Sequence, residues 1–151
     1  LPSREESRGP PCRFRGESQQ RQQEQRGLIE WILTALAAVV GVLAAWAYSA
    51  EPLRLKKSGI LGPGLVGLSY ESLPWFTGAA VLSAGAPSWY VVIIALLYGI
   101  GAHGIMTLND FKSVEGDRQM GVGSLPARLG PERAARLACV VMATAQVFVI
   151  A

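Results

Sequence analysis

Charge is scarce in this chain and unevenly spread. Charged residues make up 17% of the 151 residues against 50% hydrophobic, and mean hydropathy is +0.29. A soluble domain of this size carries roughly 25% charged residues. The apolar residues are also clumped rather than periodic, which argues against a water-soluble fold. Cysteine is nearly missing: only Cys12 and Cys139 occur. With no partner spacing they exclude a disulfide framework and a zinc site. There is a single histidine, His103, and no Gly-rich phosphate loop, nucleophile elbow or internal repeat. No nucleic-acid partner is expected.

The dominant feature is long apolar runs. Crossing a bilayer takes about 20 mostly apolar residues. Leu28 to Ser49 meets this with Glu30 at its edge, and Leu61 to Ala84 with Glu71 inside. Trp89 to Leu108 meets it with no charge, and Ala134 to Ala151 is apolar to its last residue. The expectation is an all-α, multi-span transmembrane bundle with four spans over residues 28–151, embedded in a lipid bilayer.

Residues 1–27 differ in kind. They are polar and rich in Arg, Gln, Gly and Pro, with no apolar pattern, so they cannot bury enough surface to fold alone. They are expected to be disordered or foreign to the membrane domain. They hold six Arg against four Glu, whereas the remainder holds eight basic residues against seven acids. In the remainder the basic residues follow the first and third spans, and the turn at Gly85 to Ser88 has none. The positive-inside rule then places both basic loops in the cytoplasm. The first residue is Leu and the last run lacks a polar exit, so a piece of a longer protein is expected.

The segment Asn109-Asp110-Phe111-Lys112-Ser113-Val114-Glu115-Gly116-Asp117-Arg118 sets three acids at the end of an uncharged run. If the helix continues through it, Asp110 and Asp117 lie seven residues apart and face the same way. His103, seven residues before Asp110, would share that face. Two readings are open: a solvated acidic loop, or carboxylates that bind a hard cation such as magnesium together with substrate phosphates. Pro52 should end the first helix. The basic residues beyond it, Arg54 and Lys56 among them, either contact lipid headgroups or capture an anion. Glu71, deep in the second span, is either a cavity residue or a structural hydrogen-bond partner, and Pro74 should kink that span. Gly130-Pro131-Glu132 reads as a helix start.

NDFKSVEGDR followed by GVGSLPARLG resembles the second aspartate-rich motif of the UbiA-type prenyltransferase superfamily. Together with AAWAYSAEPLRLK, VGLSYESLPWFTGAAV and GAHGIMTL it is similar to the (bacterio)chlorophyll synthase branch, over Val39 to Ala138. Three details depart from the superfamily: Ser113 stands where many relatives have a third aspartate, Glu51 where a second proline is common, and Gly123 where Lys or Arg is frequent.

The resemblance implies esterification of the propionate of (bacterio)chlorophyllide by a geranylgeranyl or phytyl diphosphate, in a multi-pass protein of the bacterial inner membrane. It implies Mg2+ held by Asp110 and Asp117, with Glu115 a weaker third ligand. Arg54, Lys56, Lys112 and Arg118 would contact the diphosphate, and Glu71 the pigment cavity. The family's first aspartate-rich motif has no match here, so the chain alone is expected to be inactive. A prenyltransferase with another aromatic acceptor, or a non-enzymatic polytopic protein, are the rival readings.

Overall fold

The computed structural model describes residues 12–150. Helix α1 runs Cys12–Ser49, and a short 3-10 turn, Leu55–Lys57, follows. Next come α2 (Leu61–Gly67), a π turn (Leu68–Ser72) and α3 (Leu73–Ser83), which follow one another without leaving right-handed helical geometry. After a tight turn come α4 (Trp89–Asn109), a 3-10 turn (Asp110–Lys112), α5 (Val114–Gln119), α6 (Leu125–Leu129) and α7 (Pro131–Ile150). No strand occurs among the described residues, in keeping with the expected all-α class.

Three helices are long and apolar enough to cross a membrane: Gly16–Ser49, Trp89–Lys112 and Pro131–Ile150. The span expected over Leu61 to Ala84 is helical from Leu61 to Ser83, but a π turn divides it into shorter helices, so it is not one of these three. Pro74 has no N–H to give the carbonyl one turn back, and the chain accommodates this with the π turn immediately before it. Such turns widen a helix locally and recur at functional sites.

Residues 12–27, part of the segment expected to be disordered or foreign to the membrane domain, continue α1 as helix, with 16–26 exposed throughout. Arg, Gln and Glu are good helix formers, and once the apolar span has nucleated a helix each added residue costs little. The expectation for residues 1–11 lies outside the described residues. The helix also does not continue from Asp110 to Asp117. It ends at Asn109, and Ser113 leaves helical geometry at φ −117, ψ 7 before α5 begins.

Small residues hold the helices together. α4 packs on α7 and on α2, with Ala95, Ala134, Ala138 and Ala145 buried between them. A Cβ on Gly104 would meet the Ala138 carbonyl at 2.8 Å and the Met142 side chain at 2.5 Å. Close approach of this kind is how helices associate where lipid removes the hydrophobic drive. The buried Ser72 hydroxyl adds one polar tie, donating to the Ala95 carbonyl at 2.9 Å. The large apolar side chains point outward instead: Trp31 is 74% and Leu82 90% exposed, as in a lipid-facing surface.

Candidate functional site: an acid–base cleft on an apolar cavity

The two polar segments meet at one end of the helices. The loop after α1 and the loop after α5 are joined by a parallel bridge between Ser58 and Gly123. Gly59 N–H donates to the Gly123 carbonyl and Gly123 N–H to the Lys57 carbonyl, each at 2.9 Å. Gly59 permits this approach, since a Cβ there would lie 2.5 Å from the Gly123 oxygen and 2.6 Å from the Leu125 nitrogen.

This clasp forms part of the wall of an open cavity of about 550 Å³. Asp110, Asp117, Arg54, Lys56 and Lys57 all line it. Asp117 is buried at 9% exposure and accepts a hydrogen bond from the Ser113 hydroxyl at 3.2 Å; that hydroxyl also reaches the Asp110 carbonyl at 3.2 Å. The serine that replaces a third aspartate therefore ties the two acidic positions together. The side-chain ion pairs formed among the described residues are Arg54–Glu51 and Arg136–Glu132, so neither aspartate is neutralised by a neighbouring cation. Burying an uncompensated carboxylate is costly. A cation bound between Asp110 and Asp117 would relieve that cost.

A second cavity, about 570 Å³ and mostly apolar, lies against the first. Tyr48, Val66 and Met106 line both. Its walls include Gly41, Ala44, Leu65, Ala102 and Ile105, and Glu71 in the π turn. A polar, doubly charged head and a long greasy tail could therefore be held side by side.

The remaining residues singled out in the sequence lie elsewhere. Glu115 is exposed and accepts a hydrogen bond from the Gln119 side chain at 3.3 Å, and Lys112 and Arg118 are exposed. None of the three lines the acid–base cavity. The short α5 helix directs Asp117 inward and its neighbours out, because successive helical residues diverge by about 100°. His103, one helical repeat before Asp110 and close enough to act on its charge, lies outside the acid–base cavity: its Nε2 meets the Ile60 carbonyl at 3.1 Å, and it lines a separate 380 Å³ cavity beside Ser72 and Val141.

Sequence reasoning passed over Tyr48, Lys57 and Ser124, which all line the cavity. Lys57 was legible as part of a basic loop. Tyr48 and Ser124 carried no signal of their own.

Two carboxylates suit magnesium, which takes one or two protein carboxylates and completes its shell with water and phosphate oxygens. No group of three or more His, Cys, Asp or Glu side chains arranged for a metal occurs among the described residues. The donor set therefore fits an ion shared with a phosphorylated substrate rather than one fully caged by protein.

Residues 28–151 match the model of the UbiA prenyltransferase family. The chain is 75% identical over 114 residues to the bacteriochlorophyll synthase 33 kDa chain of Cereibacter sphaeroides, covering 76% of this chain and 38% of that protein. It is 48% identical over 117 residues to the bacteriochlorophyll synthase 34 kDa chain of Chloroflexus aurantiacus, covering 77% and 37%. Over 97 residues it is 48% identical to the chloroplastic chlorophyll synthase of Arabidopsis thaliana, covering 64% and 24%. The chain thus spans well under half the length of these relatives. No solved structure matches it.

Proposed function

The chain belongs to the UbiA prenyltransferase family and is an integral membrane protein, and on that premise we propose that it is part of a (bacterio)chlorophyll synthase of the bacterial inner membrane. The complete enzyme would esterify the propionate of (bacterio)chlorophyllide with geranylgeranyl or phytyl diphosphate. The observation that carries this reading is the pairing of an acid–base cavity with an apolar one across a shared wall of Tyr48, Val66 and Met106.

Arg54, Lys56 and Lys57 would receive the diphosphate, and the polyprenyl tail would lie in the apolar cavity. Asp110 and Asp117 would hold Mg2+, which when bound neutralises charge developing on the departing diphosphate oxygen. The allylic C–O bond breaks, its electron pair leaves with the diphosphate, and a propionate oxygen forms the new bond to that carbon. The apolar walls exclude water that would otherwise capture the cationic carbon. Glu71 faces the same cavity and would contact the pigment.

The test is a chimera in which the matching segment of the Cereibacter sphaeroides protein is replaced by this chain. Membranes carrying it should esterify bacteriochlorophyllide from geranylgeranyl diphosphate and magnesium. A stably inserted chimera that forms no ester with chlorophyllide, but prenylates an aromatic acid, would redirect the proposal to another acceptor.

A further inference from the structure

Ser124 stands out by its lack of a partner. It is 4% exposed, and its Oγ is the one buried side-chain nitrogen or oxygen without a hydrogen bond among the described residues. It lies immediately after Gly123 in the clasp, at the cavity that also holds Asp110, Asp117 and the three cations. A buried hydroxyl left unpaired is destabilising, and such groups ask for a missing partner. The local backbone does not supply it: the Ser124 carbonyl is already taken by the Arg128 N–H at 3.0 Å, and no side-chain cap is made to α6.

From this geometry we infer that Ser124 is a substrate-binding residue whose hydroxyl donates to a phosphate oxygen of the prenyl diphosphate, an inference that rests on the reading of this cavity as a diphosphate site. The oxygen is closed off from solvent in the present conformation, so it reaches the ligand by moving between staggered χ1 rotamers, a small change for serine. Arg54, Lys56 and Lys57 supply charge from long, flexible stems. Ser124 supplies a short donor whose backbone is held beside the clasp, so that only its χ1 changes and the register of the phosphates is selected. Ser113 cannot do this, because its hydroxyl already serves Asp110 and Asp117.

The experiment uses the full-length chimera and its Ser124→Ala and Ser124→Thr variants, with inorganic pyrophosphate and magnesium as the probe. Alanine should weaken pyrophosphate binding and raise KM for geranylgeranyl diphosphate by about tenfold, the scale of one hydrogen bond to a charged group. The KM for chlorophyllide should hold, and threonine should restore most of the loss. Unchanged pyrophosphate affinity in a normally folded alanine variant overturns the inference. So does a loss that threonine does not repair and that follows a lowered unfolding temperature, which marks packing alone. Because pyrophosphate binding needs no acceptor, a chimera that binds it and yet leaves chlorophyllide unesterified refutes the pigment reading and not the role of Ser124.

Discussion

The helices turn at two ends, and the ends are built differently. Between α3 and α4 the chain reverses through Ala84-Gly85-Ala86-Pro87-Ser88, with Ala84 at φ 47 and the Gly85 N–H on the Ala80 carbonyl at 3.1 Å. This turn carries no charge and closes with its own backbone. At the other end, residues 50–60 and 110–130 carry most of the charge of the membrane domain, and besides their own local turns they bond to each other at Ser58 and Gly123. The first turn is local and self-sufficient. The second joins segments more than sixty residues apart, and it borders the cavity with both carboxylates. The charged residues are concentrated where two segments distant in sequence meet.

The largest expected effect breaks that contrast at its charged end. In the full-length chimera, Asp110→Asn or Asp117→Asn should lower turnover by about two to three orders of magnitude while the protein remains inserted and folded, since charge stabilisation of the leaving group is lost. Near-normal rates in both variants would remove these residues from the site.

A smaller effect follows from the clasp. Gly59→Val pushes a side chain into the Gly123 carbonyl and the Leu125 amide, and overpacking of this kind costs about 1–3 kcal/mol. Thermal unfolding should fall and pyrophosphate binding weaken together. The matched change Gly85→Val at the opposite end, where the nearest atom is 4.0 Å away, should leave binding intact. Equal effects at the two ends would show that the clasp does not organise the cavity.

The smallest effect is the most discriminating. Glu115 belongs to the same acidic run as Asp110 and Asp117 but is exposed and outside the cavity. Glu115→Gln should change turnover by less than about twofold, the range of an ordinary surface substitution. A loss on the scale of the aspartate variants would place three carboxylates on the metal.

How much of this was legible in the sequence depends on the range of the forces involved. Helical content followed from apolar runs, and the stop before Pro52 and the start at Pro131 followed from proline chemistry. The acidic segment was recognisable as a motif, but the single continuous helix on which its spacing was read is interrupted at Ser113. The chain breaks helix at Ser113, yet Asp110 and Asp117 still line one cavity, while His103 bonds the Ile60 carbonyl outside it. Glu115, Lys112 and Arg118 share the motif's composition without sharing the cavity, because a turn of helix sends neighbours to opposite sides.

The chain by itself determined which segments are apolar enough for a bilayer, where each ends, and that its acids cluster beside basic residues. Those properties follow from composition over windows of about 20 residues and from local backbone limits. Only the tertiary structure decided that Lys57 and Tyr48 line one cavity with Asp110 and Asp117, that Gly59 admits the Ser58–Gly123 bridge, and that Ser124 is buried without a partner. Each of these is a contact between segments far apart in sequence, set by how closely small residues let the helices approach. No local pattern encodes such a distance.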